Sequence, residues 1–336
     1  MKIKLPHIAF EITNQCNLRC LYCYNPWKTC TSPTPVLNSY TKAIKTLKQL
    51  FKIAEINNIS FTGGEPFISE RFLEVVLFCR MKNKTVTIIS NGNVGTRDNY
   101  KTLISLGVSL FEFPLHAKDE KPHDQMTCVK GSWQKSFQSI NDVMSLGGYV
   151  VPVIVITKQN HQLIEETLSF FNSLGLKRIM MNRYNIGGSG IANADKLMIS
   201  KAELNETFFK ANKLSKELGL KITSNVCTPF CLVNPKDYDN IGFGACSKNT
   251  LLRPITLNIE GDIRLCNHSP IVAGNIFKNN IETIIKSGYA ESWLTIKPDY
   301  CSTCLIYEKC RGGCRAASEQ LGLPLSEVDP VLTLGL

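Results

Sequence analysis

The segment CNLRCLYC, residues 16–23, contains three cysteines, Cys16, Cys20 and Cys23. Three residues separate the first two, and two residues separate the last two, so that all three lie on one short loop. Three thiolates can bind three irons of a cube-shaped [4Fe–4S] cluster, whereas clusters that only transfer electrons commonly have four cysteine ligands. The fourth iron is then open to another ligand, as open positions on other metals indicate catalysis rather than structure.

A second motif follows about forty residues later. The apolar strand predicted over Ile56–Phe61 ends in TGGEP, residues 62–66. Its two glycines allow the backbone to approach a ligand closely, and Glu65 can accept hydrogen bonds from a ligand ammonium group. Tyr22, directly before Cys23, offers an aromatic ring that can pack against a flat heterocycle. Alone, the cysteines are also compatible with a zinc site or a disulfide, and GGEP with an ordinary turn.

Together, CxxxCx(aromatic)C and GGEP resemble the radical S-adenosylmethionine (SAM) superfamily. The resemblance implies that the amine and carboxylate of SAM chelate the open iron. It also implies that reduction splits SAM into methionine and a 5′-deoxyadenosyl radical, which abstracts a substrate hydrogen. The expected SAM-binding residues are Tyr22, Gly63, Gly64, Glu65, Pro66, Ser90, Asn91, His116 and Arg183.

Composition favours a globular protein. The chain has 336 residues, of which 43% are hydrophobic, enough for one large domain with an appendage or for two domains. We find no apolar run that could cross a bilayer, and the N-terminus lacks the features of a signal peptide. Fourteen cysteines without a secretion signal favour metal or cluster binding over disulfides. We therefore expect a cytoplasmic protein.

The net charge of +10 is compatible with an acidic electron donor, such as a flavodoxin or ferredoxin, or with an acidic peptide. It is equally compatible with general solubility. Because the lysines are scattered rather than clustered, nucleic acid is not an expected partner.

The first two thirds of the chain alternate between strands and helices, with six β–α repeats. We predict strands over 8–12, 56–61, 85–90, 110–115, 150–156 and 178–182, and helices over 40–53, 70–80, 99–106, 133–146 and 163–174. The uninterrupted apolar run Val150–Ile156 is typical of a parallel strand buried on both faces.

Such repeats predict parallel strands with right-handed crossovers. An open sheet and a partial barrel both fit, and the superfamily resemblance favours an α/β partial (β/α)6 TIM-type barrel. The cysteine loop, GGEP, Ser90-Asn91, His116 and Arg183 all follow strand ends, where functional loops of such folds cluster. A helix over 200–219 starts with a capping box. We predict a barrel domain over 1–224 and a small cysteine-rich domain over 225–336.

The C-terminal region contains a second cysteine array. Cys301, Cys304, Cys310 and Cys314 follow one another closely, with Cys246 and Cys266 upstream. A loop-rich segment of this kind needs bound metal to stabilise its fold. One interpretation is that these cysteines form two zinc sites. The pattern also resembles the SPASM auxiliary domain of radical SAM enzymes. That resemblance implies two auxiliary clusters, one on Cys246, Cys266 and Cys314 with an upstream ligand, the other on Cys301, Cys304 and Cys310.

The sequence leaves the fourth ligand of each auxiliary cluster unassigned. For the first cluster we favour Cys231 over Cys227. The family usually closes the second cluster with a last cysteine, but here Asp329-Pro330-Val331 is followed by Leu332. The second cluster then has a non-thiolate or upstream ligand, keeps an open iron, or is incomplete. Asp329 is a possible oxygen ligand, although a carboxylate in a tail is more often solvated.

SPASM enzymes mostly modify peptides or proteins. Sulfatase-maturating relatives carry an Asp that acts as a base at the position where this chain has Asn267. An amide cannot accept a proton at neutral pH, so this reaction is not favoured. The barrel begins almost at once, so leader-peptide recognition is expected from a separate protein or not at all. Cys128 is a candidate hydrogen-atom donor of the kind that peptide epimerases use, although buried cysteines are usually inert. Cys30 and Cys79 are expected to be structural.

The leading hypothesis is an enzyme that cross-links a peptide oxidatively through thioether or carbon–carbon bonds. Alternatives are a peptide epimerase, a sulfatase-type maturase, and an enzyme of small-molecule or cofactor biosynthesis. A non-catalytic metal-binding scaffold is the hypothesis from another class.

Overall fold

A computed structural model describes residues 2–25, 27 and 38–334. Eleven strands form one sheet in the order β11-β10-β9-β1-β2-β3-β4-β5-β6-β7-β8. Their bounds are β1 Ile3–Thr13, β2 Ala54–Gly63, β3 Thr85–Ile89, β4 Leu110–Pro114, β5 Val150–Ile156, β6 Arg178–Arg183, β7 Lys221–Ser224, β8 Ile241–Phe243, β9 Thr256–Asn258, β10 Asp262–Arg264 and β11 Gly274–Asn275.

Helices connect and follow these strands. Their bounds are α1 Ser39–Ile53, α2 Phe72–Met81, α3 Arg97–Ser105, α4 Glu120–Thr127, α5 Ser132–Ser145, α6 Ile164–Ser173, α7 Ala194–Leu197, α8 Lys201–Leu218, α9 Ile281–Ile285, α10 Gly288–Thr295, α11 Tyr307–Cys310, α12 Arg315–Gln320 and α13 Val331–Leu334. The capping box predicted at the start of α8 is present, with Ser200 and Glu203 bonded reciprocally.

Strands β1 to β6 are parallel neighbours, each joined to the next through helices, as the six repeats predict. The expected α/β fold with a partial-barrel sheet and a cysteine-rich C-terminal region is confirmed. Residues 150–156 differ from their prediction, because alternate residues of β5 (Val151, Val153 and Val155) are only partly buried. One face of the strand packs in the core, and the other is less covered.

The sheet continues beyond the six repeats on both sides. Strands β7 and β8 extend it in parallel past β6. On the other side β9 pairs in parallel with β1, and β10 pairs antiparallel with β9 to form a hairpin there. A buried ion pair of 2.5 Å between Glu11 of β1 and Arg264 of β10 joins the same two regions. We predicted that a second domain begins at residue 225. The hairpin lies after this boundary in the sequence, yet its strands belong to the sheet of the barrel.

Helix α4 was not among the predicted helices. Pro122 lies in the first turn, where a missing N–H leaves no helical hydrogen bond unmade. The C-terminal turn of α4 receives backbone hydrogen bonds from the cysteine loop, from Arg19 N to Thr127 O and from Leu21 N to Met126 O. This helix therefore positions the loop.

In the part of the chain that the structure describes, no helix is long and apolar enough to span a membrane.

Candidate active site and auxiliary cysteine groups

The cysteine loop begins three residues after β1 and is largely enclosed. Cys16 and Cys20 are 5% and 8% exposed, and Leu18 between them is buried. The NIGGSG segment, residues 185–190, closes over the loop from the other side, where Ser189 Oγ donates to Cys20 O at 2.9 Å. A Cβ on Gly188 would lie 2.5 Å from Cys23 O, so only glycine permits this approach.

The two glycines of GGEP allow a close contact within the protein, and their approach to a ligand stays a prediction. A Cβ on Gly63 would lie 2.3 Å from Thr13 O, and one on Gly64 would lie 1.9 Å from Gln15 O. Gly64 N donates to Thr13 O and Glu65 N donates to Gln15 O, both at 2.7 Å. The glycines thus allow the end of β2 to pack on the chain that leads into Cys16.

Glu65 has protein partners in this structure, and its contact with a ligand ammonium group stays a prediction. Its side chain is fully buried and accepts hydrogen bonds from Phe67 N, Ser90 Oγ and Asn91 N at 3.1, 2.8 and 2.7 Å. Burial raises the pKa of this carboxyl to about 7. Three protein donors already occupy it, so its evident role is to join the end of β2 to the end of β3. Pro66 begins the short turn that follows Glu65.

Ser90 and Asn91 lie at the end of β3, as predicted, and Asn91 reaches the cysteine loop. Its Nδ2 lies 2.8 Å from Asn17 Oδ1 and 3.7 Å from Cys16 Sγ. The ends of β1, β2 and β3 are therefore linked around Cys16.

Tyr22 and His116 form a hydrogen-bonded pair. Tyr22 Oη lies 2.6 Å from His116 Nε2, and Val155 N donates to His116 Nδ1 at 3.3 Å. Because Nδ1 accepts, Nε2 carries the proton of the neutral ring. Burial, and to a lesser degree His123, lowers the pKa of His116 well below its ordinary value. The Tyr22 hydroxyl also hydrogen-bonds to Cys20. Tyr22 thus connects the residue that follows the end of β4 to a thiol of the cysteine loop, and the packing of its ring on a heterocycle stays a prediction.

A cavity of about 410 Å³ lies inside the barrel. Its wall includes His7, Ser60, Ile89, Glu112 and Asn182, from five of the first six strands. At its other end it is lined by Cys227, Cys246, Cys266, Asn267 and Cys314. The cavity thus connects the barrel interior with cysteines of the C-terminal region.

Glu112 on the cavity wall was missed by the sequence analysis. Burial raises the pKa of its carboxyl to about 7. The side chain borders the cavity and is therefore partly accessible, although protein surrounds it on its other sides. A charged residue in the middle of the apolar strand LFEFP was the signal that could have identified it. His7, whose Nδ1 lies 2.8 Å from Asn58 Nδ2, was missed as well.

The first auxiliary group of cysteines consists of Cys227, Cys246, Cys266 and Cys314. All four line the cavity, and the thiols of Cys227 and Cys246 share a hydrogen bond. Cys227, rather than the preferred Cys231, is the upstream cysteine that lies with the other three. Asn185 Nδ2 donates to Cys314 Sγ at 3.3 Å.

Positive charge surrounds this first group. The hydrogen bond from Cys227 lowers the pKa of the Cys246 thiol to about 6, and the guanidinium groups of Arg253, Arg315 and Arg311 act in the same direction. Arg253 and Arg315 are 3% and 4% exposed. Buried cations beside clustered thiols are suited to balance the charge of thiolates.

The second auxiliary group consists of Cys231, Cys301, Cys304 and Cys310. The thiol of Cys231 interacts electrostatically with those of Cys310 and Cys304, and that of Cys301 with all three others. Cys301 and Cys310 are buried, whereas Cys231 and Cys304 are exposed. This group lies nearer the surface than the first.

Each auxiliary group offers four thiols, a donor set that fits an iron–sulfur cluster. Among the residues that the structure describes, no three His, Cys, Asp or Glu side chains converge closely enough to hold a single metal ion. The ligands of one zinc ion all lie about 2.3 Å from it, whereas the thiolates of a cluster bind different irons and stand further apart. Thirteen cysteines fall within residues 2–25, 27 and 38–334, and none of them is in a disulfide.

Arg183 and Asp329 are placed differently from their predictions. They form a buried ion pair of 2.5 Å, and Arg183 also donates to Thr228 Oγ1 and Cys227 O. Arg183 is thus occupied by protein groups rather than facing SAM. Asp329 is 2% exposed and accepts from Cys314 N at 2.7 Å, so it is neither solvated nor available as a ligand.

The remaining cysteines lie apart from these groups. Cys128 is exposed at the end of α4 and is not among the described residues that line the cavity. Cys79 is fully buried in the core, and burial raises the pKa of its thiol far above the ordinary value. Cys30 lies outside the described residues.

Comparison with known proteins identifies the family. Residues 10–171 match the radical SAM superfamily. This chain belongs to the radical SAM superfamily. Its members use a [4Fe–4S] cluster and SAM, so this radical SAM enzyme needs both.

Similarity extends over the whole of this radical SAM enzyme. PqqA peptide cyclase of Gluconobacter oxydans is 22% identical over 334 residues, covering 96% of this chain and 89% of that protein. Streptococcus suis SuiB bound to its precursor peptide SuiA superposes with a TM-score of 0.73 at 15% identity, covering 98% of this chain and 75% of SuiB. anSMEcpe with bound AdoMet and the Cp18Cys peptide superposes with a TM-score of 0.73 at 13% identity, covering 98% and 94%. These two structures confirm the fold.

We expect Gly64→Ala to destabilise the protein by about 1–3 kcal/mol, because its Cβ would overlap the backbone oxygen of Gln15. Urea unfolding of the cluster-free protein measures this change. Gly288→Ala is the matched control, since a Cβ there meets no atom within 4 Å. Equal unfolding midpoints for the two variants would contradict the expectation, because they would show that the β1–β2 contact accommodates a Cβ atom without loss of stability.

We expect Tyr22→Phe to make the potential of the cluster predicted on Cys16, Cys20 and Cys23 more negative. The variant removes a hydrogen bond to Cys20, and such bonds to sulfur tune cluster potentials. A bond of about 1 kcal/mol corresponds to roughly 40 mV for one electron. Anaerobic redox titration followed by EPR measures the shift. Tyr289→Phe, which removes a hydroxyl that bonds Glu319 instead, is the control. An unchanged potential in Tyr22→Phe would contradict the expectation.

We expect Glu112→Gln to flatten the dependence of stability on pH. The folded-state pKa of about 7 exceeds the ordinary 4.5, so the protonated carboxyl contributes stability at low pH that is lost as pH rises toward 7. The loss is at most about 3 kcal/mol. Urea unfolding between about pH 5 and pH 8 measures it, with the exposed Glu55→Gln as control. Identical profiles in Glu112→Gln and wild type would refute the shift.

Proposed function

We propose that this radical SAM enzyme modifies a peptide by oxidative cross-linking, through a thioether or a carbon–carbon bond. The observation that carries the proposal is the cavity, which extends from the barrel strands to the first auxiliary group of cysteines. A side chain held there lies between the barrel strands and a group of cysteines suited to accept electrons.

The known relatives support a peptide substrate. One is named for a peptide that it cyclises, and two superposable structures were solved with peptides bound. By analogy, the cavity of this enzyme receives one part of a longer peptide. Leader recognition by a separate protein and electron supply by an acidic donor remain predictions.

In this proposal Cys16, Cys20 and Cys23 hold the SAM-binding cluster, and the two auxiliary groups hold one cluster each. When bound, the cluster and SAM supply the 5′-deoxyadenosyl radical that removes a substrate hydrogen, and the auxiliary clusters supply an acceptor for a second electron. Glu112 and His7 are the titratable groups of the barrel wall that face the substrate. With a pKa near 7, Glu112 can bind a cationic side chain or accept a proton.

Two alternatives are less well supported. An epimerase returns a hydrogen atom from a thiol near the substrate, but Cys128 is exposed at the end of α4, away from the described cavity wall. The base that the sulfatase-type reaction needs corresponds to Asn267. That amide lies on the cavity wall, where its Nδ2 donates to Tyr24 Oη at 3.3 Å.

The test is turnover by the anaerobically reconstituted enzyme with short peptides encoded beside its gene. Reduction with SAM is expected to yield 5′-deoxyadenosine, and the peptide is expected to lose the mass of two hydrogen atoms. Cys16→Ala should abolish both, whereas Cys128→Ser should retain both. A peptide of unchanged mass that takes up deuterium from deuterated water, together with an inactive Cys128→Ser, would favour epimerisation instead.

A further inference from the structure

Two short segments of the C-terminal region share one spacing. Cys227-Thr-Pro-Phe-Cys231 and Cys310-Arg-Gly-Gly-Cys314 each carry two cysteines with three residues between them. The segments lie against each other, since Phe230 N donates to Cys310 Sγ at 3.2 Å. A Cβ on Gly313 would lie 2.6 Å from Pro229 Cγ, so the contact requires glycine at this position.

The two ends of this paired structure belong to different cysteine groups. Cys227 and Cys314 both line the cavity and belong to the first auxiliary group. Cys231 and Cys310 interact with each other and belong to the second. Each segment thus has one thiol in each group.

We propose that each segment supplies one thiolate to each of two auxiliary iron–sulfur clusters. Cys227 completes the first cluster, and Cys231 completes the second in place of the terminal cysteine that this chain lacks. The inference rests on the proposed function, because it takes the two groups to be cluster sites.

The other candidates for the fourth ligand of the second cluster are otherwise engaged. Asp329 accepts from Arg183, Cys314 N and Val331 N. Leu332, at the position where the family usually has its last cysteine, is 5% exposed and packs in the main core. Cys231 brings a thiol to the group from upstream.

The arrangement also limits the distance between the thiols that bind the two clusters. Four residues of fully extended chain span at most about 14 Å, so Cys227 and Cys231 cannot be further apart than this. Arg183 and Asp329 hold the paired segments, because Arg183 donates to Cys227 O and Asp329 accepts from Cys314 N. The two clusters are thereby built as one unit beside the cavity.

The experiment measures iron and acid-labile sulfide in protein that carries Cys16→Ala, Cys20→Ala and Cys23→Ala, which leaves only the auxiliary sites. About eight irons per chain are expected in this background. Cys231→Ala and Cys304→Ala should each lose about four irons, and their combination should lose no more than either alone. Cys231→Ala with Cys227→Ala should lose about eight. Cys128→Ala is the matched control and should lose none.

A second readout covers variants that fold poorly. Cys231→Asp, which offers an oxygen ligand, should retain its iron but change the Mössbauer parameters of one cluster only. The proposal is overturned if the Cys231 variants keep their full iron content and an unchanged spectrum. It is also overturned if the iron loss of Cys231→Ala adds to that of Cys304→Ala but not to that of Cys246→Ala, which would place Cys231 in the first group. Zinc instead of iron in the triple-variant background would refute the cluster sites of the proposed function, a result distinct from both.

Discussion

The contact between the backbone of Gly63-Gly64 and that of Thr13–Gln15 underlies the rest of the site. Any side chain at either glycine would overlap a carbonyl oxygen, so the end of β2 can lie against the chain leading into Cys16 only because both side chains are absent. Glu65 then extends the link to Ser90 and Asn91. One close approach between two strand ends thereby positions the cysteine loop relative to three strands.

The barrel site and the auxiliary region are joined through few residues. Tyr24, next to Cys23, packs on His268 with ring centroids 3.9 Å apart, and Asn185 bonds both His268 Nδ1 and Cys314 Sγ. Gln320 Nε2 donates to both Tyr24 O and His268 O. This polar and aromatic layer connects the residue after Cys23 with a cysteine of the first auxiliary group.

Much of the fold could be predicted from the sequence, because the apolar period and the glycine stops of the six repeats are local signals. Residues 120–127 were not, since a proline in the first turn of a helix resembles a loop. The site was harder. Motif residues such as Glu65 and Arg183 look like ligand groups in sequence, and only the folded chain shows that protein partners occupy them. The grouping of Cys227 and Cys231 depends on segments about eighty residues apart in sequence, which spacing cannot reveal. The isolated Glu112 in an apolar strand was a readable signal that went unused.

The paired CxxxC segments have a consequence for assembly. Metal sites of this kind are rarely preformed in the unfolded chain, and binding contributes to folding. Because each segment has a thiol in both groups, loading either group brings together the two segments that the other also needs. Loading of one group should therefore favour loading of the other, and the exposed group that holds Cys231 and Cys304 would be the one through which iron is gained or lost.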